Sequence, residues 1–273
     1  MPPYVWALLI AGGVVLAPAV IYLFLIKTAP VKRAAMDRYG KTFAHRGLWD
    51  ADAPENSLAA FEKAVNAGYG IEFDIHKTRD GHVVVFHDDT LTRMCGVDGK
   101  VEDKTLGELR ALRLLGTEQG IPTLQELLAL VDGRVPLLVE LKGAALDTSL
   151  CPLANEILSA YKGKYMIESF NPMLVRWYRK NRPDIVRGQL FCNLLREKGG
   201  NKLFYFLITI LATNVLARPH FLARGLDSAH NPAFMLCKRL FRTPTYVWTV
   251  REPGQIPQDA RDGMIFERFI PKE

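Results

Sequence analysis

The chain lacks any pair of cysteines at CxxC or zinc-ligand spacing. Its four cysteines, Cys95, Cys151, Cys192 and Cys237, lie far apart. Neither a disulfide framework nor a structural zinc site is expected from them, and a reducing compartment is compatible with them. There is no GxGxxG, no Walker sequence, no HExxH and no GxSxG elbow, so nucleotide cofactors and serine-hydrolase chemistry lack support. Internal repeats and low-complexity segments are also missing. The formal charge of +6 over 273 residues is moderate and contains no long basic block. Without basic motifs interleaved with aromatics, that charge speaks against a nucleic-acid partner. It favours anionic membrane surfaces or phosphate-bearing substrates.

Charge is absent altogether from Tyr4 to Ile26, a run of 23 residues. At about 1.5 Å per residue such a helix spans a hydrocarbon core of roughly 30 Å. Tyr4, Trp6 and Tyr22 stand near its ends, where amphipathic rings favour the interface. No basic residue precedes the run, and it is long for a cleaved signal core, so it is read as a retained transmembrane anchor. Lys27, Lys32, Arg33 and Arg38 follow it. The positive-inside rule then predicts a single-pass membrane protein with its C-terminal domain in the cytoplasm. The expected organisation is an anchor over residues 1–28, a basic linker over 29–40 and one domain over 41–273.

What the rest of the chain contains is an alternation of strand-like and helix-like segments. Candidate strands are Thr42–His45, Ile71–Ile75, Val83–His87, Leu137–Leu141, Tyr165–Ser169, Val186–Phe191, Phe221–Gly225, Tyr246–Val250 and Met264–Glu267. Helical patterns cover Ser57–Ala67, Leu124–Val131, Pro152–Tyr161 and Pro172–Lys180. The alternation predicts an α/β fold, a TIM-type (β/α)8 barrel behind one transmembrane helix. Nine candidates exceed eight by one. Ile75 and Val83 are too close for a parallel crossover, so Val83–His87 is read as the return arm of a short hairpin after the second strand. The apolar stretch Leu203–Ala217 has two readings: a buried barrel helix, or an element at the barrel mouth that touches the bilayer or a lipid chain.

Glu72 and Asp74 sit at i and i+2 on a predicted strand and share a face. Alone, such a pair is more often a solvated strand face. Glu140 ends another apolar run, with Lys142 at i+2 on the same face. Three carboxylates at strand C-termini would converge at a barrel mouth, and oxygen-only ligands suit one hard divalent cation, Mg²⁺ or Ca²⁺. His45 and His87 also end strand-like runs, and a pair flanking a metal site could divide acid and base duties. Arg46 and Lys142 offer cationic donors to phosphate oxygens.

These residues carry a resemblance. His45-Arg46-Gly47, Glu55-Asn56-Ser57, Glu72-Phe73-Asp74, Asp80-Gly81 and His87-Asp88 are similar, in order and spacing, to the glycerophosphodiester phosphodiesterase family. Glu140-Leu141-Lys142, Ser169-Phe170-Asn171 and Trp248-Thr249-Val250 extend the likeness, which covers about Thr42 to Glu267. The resemblance implies a TIM-type barrel that hydrolyses glycerophosphodiesters to glycerol 3-phosphate and an alcohol. It implies a metal held by Glu72, Asp74 and Glu140, and His45 and His87 as general acid and base. Arg46 and Lys142 match phosphate-contacting positions, and Phe170 and Trp248 match an apolar substrate pocket. Two positions depart from the family pattern: Arg251 stands where Asn is usual, and Phe266-Glu267 where Thr-Asp is usual. The alternatives carried forward are cleavage of lysophospholipids in phospholipase D fashion, and a catalytically inactive, membrane-tethered phosphodiester binder.

Overall fold

A computed structural model describes residues 2–144, 146–196, 201–259 and 262–271; the side chains of residues 3–13, 15, 33 and 196 lie outside the described set. The chain opens with α1 (Pro3–Ile26) and a short α2 (Arg33–Asp37). Among the described residues no helix is long and apolar enough to cross a membrane. The expected aromatic ends Tyr4 and Trp6, and the basic flank Arg33, have side chains outside that set. The segment 29–40, expected as a linker, carries α2, and Met36 and Tyr39 are buried in it.

The body of the chain begins with β1 (Thr42–His45), α3 (Leu58–Asn66), β2 (Gly70–Lys77) and β3 (Val83–Val85). Two short helices, α4 (Thr92–Cys95) and α5 (Leu106–Arg110), precede α6 (Leu124–Val131). Strands and helices then alternate as β4 (Leu137–Leu141), α7 (Leu150–Ala160), β5 (Tyr165–Ser169), α8 (Pro172–Asn181) and β6 (Arg187–Phe191). They continue through α9 (Lys202–Thr209), α10 (Asn214–Ala217), β7 (Phe221–Gly225), α11 (Pro232–Leu240), β8 (Thr245–Val250) and β9 (Gly263–Phe266). The sheet runs β1-β9-β8-β7-β6-β5-β4-β2 and closes through β1–β2, with every pair parallel. It is an eight-stranded barrel. β3 adds to β2 antiparallel, pairing Ile75 with Val85, so the short connection through Gly81 makes the predicted hairpin. The hairpin strand stops at Val85, two residues earlier than its apolar run suggests. From there Phe86 donates its amide to the Asp74 carbonyl.

Local chemistry explains the helices. Ser57 caps α3 by accepting the Ala60 amide, and Thr123 and Glu126 form a reciprocal capping box at α6. In α6, Leu124, Leu127, Leu128 and Val131 recur at helical spacing and are buried against the sheet. Burying each such side chain contributes about 2 kcal/mol. The outer faces of the strands and the inner faces of these helices form the larger core, which includes Phe61, Phe73, Val139 and Ile167.

The barrel interior is packed separately. Phe43, Phe221 and Tyr246 meet edge to face, with ring centres 5.7 Å (Phe43–Tyr246) and 5.2 Å (Phe221–Tyr246) apart. Gly70, Gly188 and Gly263 give these rings their space, since a Cβ at any of the three would collide with one of them. The end of the barrel at the strand N-termini is therefore filled with aromatic rings. The strand carboxylates Glu72, Asp74, Glu140 and Glu168 lie beyond these rings, toward the other end.

Candidate active site

β1 delivers His45 to the C-terminal rim, where the chain turns sharply through Arg46 and Gly47. Arg46 adopts a left-handed backbone (φ 59°), and its amide donates to the Glu72 carbonyl at 2.8 Å and to Glu72 Oε2 at 3.2 Å. Gly47 is required next, because a Cβ there would lie 2.8 Å from the Ala60 carbonyl carbon. The His-Arg-Gly sequence thus makes a turn that faces Arg46 back over the rim. Its Nη1 meets Glu55 Oε1 at 2.7 Å and its Nε lies 3.5 Å from Asp74 Oδ2.

Glu72, Asp74 and Glu140 converge as their strand positions predict: one ligand atom from each lies within 4.8 Å of the others, and all three side chains are buried. Lys142 reaches in from the end of β4, with Nζ 2.6 Å from Glu140 Oε1 and 3.0 Å from Asp74 Oδ1. Asn56 donates Nδ2 to Asp74 Oδ2 at 3.0 Å. The neighbouring strand β5 adds a fourth carboxylate, Glu168, which is buried and has an Oε2 with no hydrogen-bond partner.

Burial, and after it the neighbouring carboxylates Asp74 and Glu140, hold Glu72 well above the usual carboxylate range. Burial, reinforced by Asp74, pushes Glu140 up to about 7 against the pull of Lys142. Asp74 goes the other way: burial opposes its charge, but Lys142, His87 and Arg46 outweigh that and hold it well below the usual range. Glu168 is raised by burial and then by Glu140 and Asp74. Among the described residues, these four carboxylates therefore face two nearby cations, Arg46 and Lys142. This excess of negative charge, with an unpartnered carboxylate oxygen, fits a bound divalent cation, which would relieve the repulsion.

Both predicted histidines stand at this rim, and each has its own carboxylate. His45 donates Nδ1–H to Glu267 Oε2 at 2.7 Å, which leaves Nε2 on the side of Glu72, 3.9 Å from its Oε2. His87 donates Nδ1–H to Asp88 Oδ1 at 2.6 Å. Each carboxylate is in turn held by an arginine. Arg251 Nε meets Glu267 Oε1 at 2.6 Å, and Arg93 Nε meets Asp88 Oδ2 at 2.6 Å. Arg93 also donates two bonds to Glu55, the partner of Arg46. Glu267 is brought down to about 2: burial opposes its charge, and the His45 and Arg251 bonds overcome it. Asp88 falls to about 2 in the same way, through Arg93 and His87. Burial lowers both histidines, His87 to about 4. His76 braces the hairpin from β2 by donating Nε2–H to the His87 carbonyl at 3.3 Å.

Phe170 and Trp248 pack edge to face, 5.5 Å between centres, and form an apolar wall of the mouth. A sequence profile of the glycerophosphoryl diester phosphodiesterase family matches residues 45–266. The chain belongs to this family. This member is 35% identical over 168 residues to a glycerophosphodiester phosphodiesterase of Caldanaerobacter subterraneus subsp. tengcongensis, covering 56% of this chain and 67% of the relative. It is 31% identical over 155 residues to the human glycerophosphodiester phosphodiesterase 1, covering 52% of this chain and 46% of the relative. It therefore spans about two thirds of the first and less than half of the second. The crystal structure of a Thermotoga maritima glycerophosphodiester phosphodiesterase superposes with a TM-score of 0.64 at 28% identity, covering 82% of this chain and 93% of that one. A phosphodiesterase of Oleispira antarctica, solved with the product sn-glycerol-3-phosphate, shares the fold with a TM-score of 0.67 at 22% identity, covering 85% and 94%.

Sequence reasoning gathered every member of the predicted set at one rim. It assigned no role to Glu55, Asn56, Asp88, Arg93 and Glu168, and treated Arg251 and Glu267 only as departures from a pattern. Asp88 could have been found from its place beside His87. Glu168 could have been found from strand alternation, because Met166, Glu168 and Phe170 share the inward face. Nothing local marks Arg93, which lies on the exposed side of a four-residue helix that buries Met94.

Proposed function

We propose that this family member hydrolyses glycerophosphodiesters to sn-glycerol 3-phosphate and an alcohol, in a reaction dependent on a divalent cation and carried out at a membrane surface. The observation that carries the reading is the convergence of Glu72, Asp74 and Glu140 beneath two carboxylate-held histidines, with Arg46 and Lys142 alongside. A non-catalytic binder has no use for two histidines each oriented through Nδ1 by its own carboxylate, one buried (Glu267) and one half-buried (Asp88).

Glu72, Asp74 and Glu140 would hold the cation, Mg²⁺ or Ca²⁺, which when bound supplies Lewis-acid polarisation of a phosphate oxygen. Arg46 and Lys142 bind the remaining phosphate oxygens and stabilise the charge that grows on them. His45 is assigned as base: Nδ1 is committed to Glu267, so the lone pair on Nε2 faces the site and takes a proton from the attacking hydroxyl, water or the glycerol 2-hydroxyl. Glu267 stabilises the imidazolium that forms. His87 is assigned as acid in its imidazolium form, giving the Nε2 proton to the departing alkoxide while Nδ1–H stays on Asp88; its side chain is 32% exposed, against 13% for His45, so solvent can return that proton between turnovers. Phe170 and Trp248 pack against the apolar part of the substrate.

The membrane surface enters through α1, read as a single-pass anchor over residues 1–28 with the barrel domain, 41–273, in the cytoplasm. The support is the uncharged run Tyr4–Ile26 and the basic residues behind it. A C-terminal reporter active only outside the cell would overturn the orientation. The activity is tested on a panel of glycerophosphodiesters and lysophospholipids with EDTA, then with Mg²⁺ or Ca²⁺ restored. Turnover of at least one diester, lost on chelation and recovered with metal, is expected; full activity in EDTA would remove the cation from the reading.

A further inference from the structure

The path of α1 fixes which end of the barrel looks toward a bilayer. Just past its C-terminus, Ala29 donates its amide to the Pro219 carbonyl at 2.8 Å, and the Thr28 and Thr243 hydroxyls meet at 2.7 Å. Pro219 and Thr243 lie just before β7 and β8, at the end of the barrel away from the site. Arg218 Nη1 caps the helix there by donating to the Phe24 and Lys27 carbonyls at 2.9 and 2.7 Å. One turn back, Asn214 donates Nδ2 to the Ile26 carbonyl at 2.9 Å, and Cys237 Sγ contacts the same oxygen. Earlier still, Tyr22 donates its hydroxyl to the Ile210 carbonyl at 3.0 Å. The adjoining Thr209 carbonyl accepts Nδ2 of Asn231, the N-cap of α11, which follows the C-terminal end of β7. The level of Tyr22 is therefore the level of the barrel mouth. α1 climbs the barrel wall from bottom to mouth, and Pro3–Ile21 project past the rim by roughly 28 Å, close to a hydrocarbon core.

The rim beside this projection is apolar. α9 begins on the mouth side, after β6, and packs Phe204 and Ile208 into one cluster with Tyr22, Leu23 and Ile26. Its other face leaves Leu203 67% and Phe206 45% exposed, near Leu195 at 42%. On α1 itself Leu16, Val20 and Ile21 are exposed, and α1 and α9 pack through the shared cluster, so exposed apolar side chains stand on two adjoining helices. Clustered exposure of large apolar side chains marks an interaction surface more often than a water-facing one. The residue that follows β6 lies beside the site: a Cβ on Gly225 would lie 3.0 Å from Cys192 Cβ and 3.8 Å from the Trp248 ring, so Cys192 and the Trp248 wall flank the same glycine.

We propose that α9, with Leu195, docks on the same leaflet that α1 enters, so that the barrel mouth faces the bilayer and takes phosphodiesters whose apolar chain remains in the membrane. This rests on the reading above that α1 is a membrane anchor. The occupant of the α9 face is the lipid surface, because that face adjoins the helix that would lie in it. A second copy of the chain is an outcome the test separates.

The full chain is reconstituted in phosphatidylcholine–phosphatidylglycerol vesicles containing doxyl-labelled lipid. Emission is read as the difference from the unsubstituted protein for Phe206→Trp at the rim and Leu240→Trp at the far end of α11. The Phe206→Trp signal is expected to lose more than about half its intensity, and the Leu240→Trp signal almost none. Protein retained after carbonate washing, with the rim signal unquenched or both signals quenched alike, overturns the docking and leaves the anchor standing; cross-linking through α9 in that case identifies a second copy as its cover. Protein released by the wash overturns anchor and docking together. In the same vesicles Leu203→Glu with Phe206→Glu is expected to slow cleavage of a bilayer-resident lysophospholipid about tenfold. Glycerophosphocholine turnover should not change; an equal loss on both substrates, or none on either, overturns delivery through the rim.

Discussion

The two histidines of the site are built alike and supported differently. His45–Glu267–Arg251 and His87–Asp88–Arg93 are each an imidazole, a carboxylate and a guanidinium in line. The first joins opposite ends of the chain across the closing strands of the barrel. The second is made within seven residues of a hairpin extension, and Arg93 ties it to Glu55 and so to Arg46. The barrel-borne histidine is the more buried and the hairpin-borne one the more open to water. Rigid burial suits a group that must hold one tautomer while it takes a proton. Exposure suits one that must be recharged between turnovers.

The largest test of this contrast is removal of the imidazoles. His45→Ala and His87→Ala are each expected to lower kcat about 10³-fold on diesters with ordinary alcohols. On a p-nitrophenyl diester, whose leaving group needs no proton, His87→Ala should recover to within about tenfold of the unsubstituted enzyme and His45→Ala should not. Equal recovery would erase the assigned division of labour.

Next come the carboxylates. Glu267→Gln should lower kcat about 10²-fold with little change in KM, and Asp88→Asn about tenfold, because water can replace the more exposed partner. Identical losses would mean that burial does not separate the arms. Smaller again are the arginines. Arg93→Ala should cost about fivefold in kcat/KM and Arg251→Ala about twofold, since Arg93 holds two carboxylates and Arg251 one.

A separate test, away from turnover, is acid stability. Glu267 titrates near 2 in the folded chain against an ordinary 4.5, so the folded state favours its ionised form. Its contribution is complete above pH 4.5 and is lost as pH falls from 4.5 toward 2, a change on the order of 3 kcal/mol. Melting curves over that window should flatten in Glu267→Gln.

Much of this was legible without coordinates. Alternation placed Glu72 and Asp74 on one face, and the seven residues between Ile75 and Val83 excluded a parallel crossover and made the hairpin. Strand limits at Thr42–His45, Leu137–Leu141, Tyr165–Ser169 and Phe221–Gly225 coincide with the apolar runs, because burial on both faces writes a continuous signal. Leu203–Ala217 is neither one helix nor fully buried. It breaks after Thr209, and α9 keeps one apolar face inside and another out. Hydrophobic content alone does not say which side of a helix meets the core. The uncharged run Tyr4–Ile26 is likewise divided: its last turn, with Ile26 fully buried, belongs to the barrel wall.

The sequence by itself determined the barrel, the hairpin and the residue types of the site, because strand period, turn length and ordered motifs are local properties of the chain. Tertiary structure alone decided that Arg251 and Glu267 form one ion pair behind His45, that Glu168 joins the carboxylates, and that α1 leaves the barrel on the side of its mouth. Each of these depends on contacts between segments far apart in the chain, which closure of the sheet brings together and no local pattern encodes.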